Sequence, residues 1–293
     1  MKNIEFFNHE ICVGAHMTQT RYAQRTCAEM EKKMIFDTHA HYDDEAFAED
    51  RNELLAGMPK QGIERIVNVG ASIASCRTTL GLIDQYPFVY GALGVHPSET
   101  AELDEESFAW LRAQYGHPKC VAVGEIGLDY YWPEPDREIQ KKWFVRQLAL
   151  ARELQLPVVI HSREAAADTV QIMKEQHAEE IGGVIHCFSY TKETAEIFLK
   201  MGFYIGVGGV VTFKNAKKLR EALEVIPLDR IVVETDCPYL APEPNRGKRN
   251  SSLNLPYVIE EIAMVKQVAP EEIERITWQN GEKLYHFVSN YAR

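Results

Sequence analysis

Six apolar runs in the chain each end near a group that can bind a metal ion or move a proton. The sharpest signal is His39-Ala40-His41. Side chains of an extended strand alternate faces, so residues two apart point the same way and two imidazoles converge on one point, a geometry suited to a divalent cation. By the same alternation Asp37 shares that face and is placed to orient a histidine from behind. Glu125 interrupts the apolar run around V-A-V-G-E-I (121–126). Burying an unpaired carboxylate is costly, so Glu125 needs a cation or an arginine. Asp129, a little later, reads as a more exposed carboxylate. His161 in V-V-I-H and His186 in V-I-H repeat one pattern on two successive runs, while His96 and Asp236 end two others. Glu234 lies on the same side as Asp236 by alternation and competes with it for a role.

Taken together, His39, His41, Glu125, His161, His186 and Asp236 offer mixed nitrogen and oxygen donors. Such a set suits two divalent ions roughly 3.5–4 Å apart, with Glu125 able to bridge them. Magnesium, manganese, zinc and nickel all accept such ligands. The cations would acidify a water for attack on phosphorus or on a carbonyl carbon, with Asp236 to orient that water and accept its proton. Cys187 and Cys237 flank two of the ligands, but alternation turns each away, and both read as packing residues.

These groups need a scaffold that gathers strand ends. From Met34 onward eight short β-branched or aliphatic runs (34–41, 65–71, 89–96, 120–127, 157–162, 183–188, 203–208 and 231–236) alternate with longer amphipathic segments. Residues 138–155 and 191–202 show the three-and-four spacing of helices. The pattern predicts an α/β fold, a single (β/α)8 TIM barrel over 34–293, in preference to an open doubly wound sheet. In such barrels the active site is built at the carboxyl ends of the strands, where these polar residues fall.

Composition sets outer bounds. With 32 basic and 43 acidic residues among 293, the net charge of −11 repels polyanions at long range, so a phosphate-bearing substrate must be held locally. The six cysteines have no C-x-x-C spacing, and no apolar run approaches a membrane span, so a cytoplasmic location without membrane contact is expected. Residues 1–33 lack the basic start and apolar core of a secretory signal. They read as an N-terminal extension that need not be ordered, with Met34 a candidate natural start.

Phosphate calls for positive groups. Arg246, Lys248 and Arg249 follow the eighth run and rank first, then Arg163, two residues beyond His161. The cluster Lys214, Lys217, Lys218 and Arg220 ranks last, because charge runs are usually solvated helix faces. His96 is the remaining candidate for substrate contact. Tyr130, Tyr131 and Trp132 could stack a nucleobase or simply pack a loop. The glycine run at 206–209 lacks the third glycine of a dinucleotide fingerprint, and no G-x-S-x-G elbow occurs, which sets aside a nicotinamide enzyme and a covalent serine hydrolase.

The motifs F-D-T-H-A-H (36–41), G-V-H-P (94–97), G-E-I-G-L-D-Y (124–130), H-S-R (161–163), H-C-F (186–188), E-T-D-C-P-Y-L (234–240) and R-G-K-R-N (246–250) resemble TatD-type metal-dependent deoxyribonucleases. The resemblance implies a TIM barrel with one metal ion on His39, His41 and Asp236, a second on His161 and His186, and Glu125 between them. It also implies hydrolysis of DNA phosphodiesters, often from the 3′ end of single strands. One departure follows R-G-K-R-N, where the family pattern continues with Glu-Pro and this chain has Ser251-Ser252-Leu253-Asn254. Two other readings compete. An amidohydrolase cleaving a cyclic amide or aminoacyl ester would use the same cage, although many amidohydrolases place a bridging lysine where Glu125 stands. A barrel with a vestigial site acting as a binding partner would have no chemical reason to keep every ligand.

Overall fold

The structure is a computed structural model and describes residues 34–287. Eight parallel strands carry it: β1 (Ile35–Ala40), β2 (Ile63–Val69), β3 (Val89–Leu93), β4 (Cys120–Asp129), β5 (Val158–Arg163), β6 (Gly183–Ile185), β7 (Tyr204–Val207) and β8 (Ile231–Val233). They are hydrogen-bonded in sequence order, β1 through β8. Beyond the last strand the chain returns to the first, where Ala40 and Cys237 form a parallel bridge and the His41 N–H donates to the Cys237 carbonyl at 2.8 Å. The expected (β/α)8 TIM barrel is therefore present. The N-terminal extension expected over 1–33 lies outside the described residues.

Strands closed into such a barrel are covered on both faces, which is why they read as continuous apolar runs. Every residue of β1 and β4 is buried. Helices α1 (Arg51–Gly57), α2 (Ile73–Gln85), α3 (Glu105–Gln114), α4 (Arg137–Leu154), α5 (Ala166–Glu175), α6 (Lys192–Lys200) and α7 (Lys217–Val225) each follow one strand in turn, and α8 (Leu255–Lys266) and α9 (Pro270–Leu284) follow β8. The predicted helices over 138–155 and 191–202 are α4 and α6. The Asp136 side chain caps α4 by accepting from the Glu138 N–H at 2.8 Å, an interaction whose loss typically costs ~1 kcal/mol.

Apolar residues form two layers. One lies between strands and helices. The other draws Phe36, Val67, Val69, Ala92, Ala122, Val159, Val184 and Val232 from seven strands and so fills the barrel interior. At the amino ends of the strands, the Phe36 ring sits 5.8 Å from those of Trp278 and Phe287. The Arg65 guanidinium lies over the Phe287 and Trp278 rings at 4.2 and 4.9 Å. Cation and rings together stopper that end.

Three details differ from simple alternation. The register of β1 against β2 shifts between Asp37 and Ala40, so Phe36 faces the inner layer while Ala40 faces the outer one. Strand β6 ends at Ile185 and β8 at Val233, three residues short of the runs expected at 183–188 and 231–236. Cys187 (φ 44°) and Asp236 (φ 54°) adopt left-handed backbone, which takes the chain out of the extended conformation at both places.

Candidate metal centre

The six expected ligands meet at the carboxyl end of the barrel, and Glu125 stands between two groups of them. On one side His39 Nε2 and His41 Nε2 are 3.0 Å apart. They lie 3.5 and 3.6 Å from Glu125 Oε2, and 3.7 and 3.3 Å from Asp236 Oδ1. On the other side Glu125 Oε1 is 2.8 Å from His161 Nδ1 and 2.7 Å from His186 Nε2, and those two nitrogens are 3.1 Å apart. The irregularity in β1 leaves His39, and His41 one residue past the strand's end, in the cage above an inward-pointing Phe36.

Hydrogen bonds fix which ring nitrogen faces the cage. His41 Nδ1 is 2.7 Å from the Val69 carbonyl, so Nδ1 carries a proton and Nε2 is left to face the cage. His161 Nε2 is 3.2 Å from Asp129 Oδ2, which leaves Nδ1 for the cage. His186 presents Nε2, with Nδ1 3.7 Å from Glu234 Oε1. His96 Nδ1 accepts from the Ser98 N–H at 3.1 Å, and burial, followed by the charge of His161, lowers its pKa to about 3. The neutral ring then carries its proton on Nε2, 3.7 Å from Glu125 Oε1.

Several expectations need correcting. Asp129, read as exposed and bland, is buried against His161. Its parity with Glu125 along β4 was the available signal. Asp37 touches no imidazole. It accepts from the backbone N–H of His39 and from Thr235 and Ser252, because the shifted register separates its face from that of the rings. Glu234 does not compete with Asp236: with β8 ending at Val233, its carboxylate lies behind His186 and accepts from the Cys187 N–H at 2.5 Å. Cys187 is half-buried rather than turned cleanly into packing. Burial, then the charges of Asp236, Glu234 and Glu125, hold its thiol well above the usual range.

The basic candidates divide. Arg163 is exposed at the end of β5, with its guanidinium 3.8 Å from the Tyr131 ring centre. Arg246 lies over Phe213 at 4.2 Å and Lys248 is exposed. Arg249 is committed elsewhere, pairing with both oxygens of Asp50 at 2.7 and 2.5 Å and with the Ala46 carbonyl. Lys217 faces Glu221, and Arg220 bonds backbone carbonyls, so the lysine cluster is a helix surface.

Donors that converge this closely repel one another unless a proton or cation lies between them. A divalent ion bound at roughly 2.0–2.2 Å per donor holds its ligands about 3–3.5 Å apart, close to the spacings found on both sides of Glu125. Histidine groups with carboxylates also gather at His39, His41 and Asp236, and at His39, Glu125 and His186. Burial opposes ionisation of Glu125, yet the surrounding imidazoles, His186 first, hold its carboxyl well below the usual range. The donor set therefore fits divalent cations.

A parallel barrel bearing such a cage at its carboxyl mouth defines a metal-dependent hydrolase, and comparison with known proteins agrees. Residues 36–286 match the family described as TatD related DNase. The uncharacterized metal-dependent hydrolase YabD of Bacillus subtilis is 45% identical over 252 residues, spanning 86% of this chain and 99% of that protein. The 3′-5′ ssDNA/RNA exonuclease TatD of Rahnella sp. is 32% identical over 257 residues, spanning 86% and 98%. Among solved structures, the TatD homolog YJJV of Escherichia coli superposes with a TM-score of 0.82 at 30% identity, covering 87% of this chain and 98% of that one. The chain belongs to the TatD-related DNase family. Among the described residues no helix is long and apolar enough to cross a membrane.

Proposed function

We propose that this protein hydrolyses DNA phosphodiester bonds, working from the 3′ ends of single strands, with two divalent cations in the cage. His39, His41 and Asp236 would hold one, His161 and His186 the other, and Glu125 both. The observation that carries this reading is the division of Glu125, whose Oε2 faces one pair of imidazoles while Oε1 faces the other. Bound cations would supply Lewis acidity, lowering the pKa of water and neutralising charge on phosphoryl oxygens.

The chain's own groups do the remainder. Asp236 keeps its side chain 16% exposed, the most open of the carboxylates in the cage, and is the group to orient the attacking water and take its proton. His96 points an Nε2–H into the same space and donates to a phosphoryl oxygen. Arg163, Arg246 and Lys248 contact backbone phosphates, whereas the Asp50 pairing gives Arg249 the task of tethering its loop. Tyr131 and Trp132, 49% and 55% exposed, meet edge to face at 4.8 Å beside Arg163. Rings so placed suit splayed bases, each worth ~1–3 kcal/mol by stacking. The net charge of −11 disfavours duplex tracking, and the Rahnella relative is named for single-stranded substrates. The cysteines Cys76, Cys120, Cys187 and Cys237 are free thiols, in keeping with our assignment to the reducing cytoplasm.

The test is to load the protein with Mg2+, Mn2+, Zn2+ or Ni2+ and offer single-stranded DNA labelled at its 5′ end, its duplex form, and a dihydropyrimidine. Stepwise shortening from the 3′ end of the single strand is expected. Cleavage of the C–N bond alone would overturn the reading in favour of an amidohydrolase.

A further inference from the structure

We infer that Asp129 and Glu234 are positioning residues that set the cation affinity of the His161–His186 half of the cage. The inference rests on the two-cation reading above and deepens it. The halves differ in direct anionic donors: the His39–His41 half has Asp236 and Glu125 Oε2, whereas the His161–His186 half has Glu125 Oε1 alone. They differ in the opposite sense behind the rings. His41 is backed by the neutral Val69 carbonyl, and His39 Nδ1 has no hydrogen-bond partner among the described residues. His161 Nε2 has the buried Asp129 carboxylate at hydrogen-bond distance, 3.2 Å, while His186 Nδ1, also without a hydrogen-bond partner among the described residues, faces the buried Glu234 carboxylate at 3.7 Å.

Both carboxylates are fixed in place. Asp129 Oδ1 accepts from the Tyr131 N–H at 2.9 Å, and the Asp129 N–H donates to Gln140 Oε1 at 2.9 Å, which aims Oδ2 at His161. Glu234 Oε1 accepts from the Cys187 N–H, and its Oε2 packs so closely on Gly206 that a Cβ there would stand 2.3 Å away. A carboxylate accepting the far N–H of a ligating histidine, as Asp129 does for His161, fixes the tautomer and raises the basicity of the nitrogen facing the cation, and Glu234 acts on His186 through its charge at 3.7 Å. Asp129 and Glu234 thereby supply from outside the negative charge that this half lacks among its own donors.

The experiment is a Zn2+ titration against a chromophoric chelator for the wild-type protein, Asp129→Asn, Glu234→Gln and Gly206→Ala, with circular dichroism to compare folds. The wild type should bind two equivalents. Each variant should keep one affinity unchanged and weaken the other about 10–100-fold. Gly206→Ala removes no carboxylate, but its added Cβ would stand 2.3 Å from Glu234 Oε2 and 3.0 Å from the His186 Cα, so Asp129→Asn, which leaves that contact untouched, answers the question if Glu234→Gln does not fold. Equal loss at both equivalents, or loss at neither, would overturn the inference. A wild-type protein that binds fewer than two equivalents would instead sink the two-cation reading beneath it.

Discussion

The Ser252 hydroxyl donates to Asp37 Oδ2 at 2.6 Å, joining the loop after β8 to the first strand. Ser252 also donates its N–H to the Tyr42 hydroxyl at 2.9 Å and is fully buried. This is the stretch at which the resemblance marks a departure from Glu-Pro, and its Ser252 is drawn into a buried polar network rather than left at the mouth. Ser252→Ala should destabilise the fold by ~1–3 kcal/mol, because it strips one donor from a buried carboxylate, while leaving cation affinity intact. Urea unfolding together with a metal titration measures both, and unchanged stability would remove this role from Ser252.

Asp236→Asn should leave a folded protein whose phosphodiesterase turnover falls at least about a hundredfold, the usual scale for loss of acid–base help. Single-turnover cleavage of a labelled oligonucleotide at saturating metal checks it. Near wild-type turnover would strip Asp236 of the proton-accepting role.

Cation loading should release protons. With no cation bound, burial acts to lower the His41 pKa, but the hydrogen bond and charge of Asp236, with help from Glu125 and Asp43, push it up to about 9. Below that pH a proton occupies the position that a cation needs, so apparent affinity should climb as pH rises towards 9. Calorimetry at pH 7 in buffers of different ionisation enthalpy should detect the released protons. Binding that is insensitive to both pH and buffer would contradict the assignment.

Arg163 and Arg249 should behave differently. Arg163→Ala removes an exposed guanidinium stacked on the Tyr131 ring and should raise KM for single-stranded DNA with little change in kcat. Arg249→Ala breaks the Asp50 pairing and should leave KM within about twofold, since rim ion pairs contribute little. Steady-state kinetics on one oligonucleotide compares the two, and equal KM increases would return Arg249 to the substrate contacts.

Much of the barrel was legible because strands buried on both faces must be apolar from end to end, and six of the eight runs were marked by a metal-binding or proton-moving residue near the carboxyl end. The cage was legible for a related reason: chemistry at the mouth of a barrel places its groups at equivalent positions in successive units, as with His161 and His186. What stayed hidden depends on the backbone leaving its ideal path. The shifted register of β1 carries Asp37 away from the rings, and the left-handed residues Cys187 and Asp236 end two strands early. Alternation counts residues, and it fails wherever φ changes sign or a register slips. Asp129 was the opposite case: although the register of β4 shifts between Val123 and Ile126, Glu125 and Asp129 both reach His161, and the burial of Asp129 depended on that histidine of the next strand.

The plug of Phe36, Trp278 and Phe287 around Arg65 makes the barrel a cup with one doorway. Nothing can thread through it. Whatever reaches the floor must back out past the rim by which it entered, so a departing fragment and the next incoming end contend for the same passage.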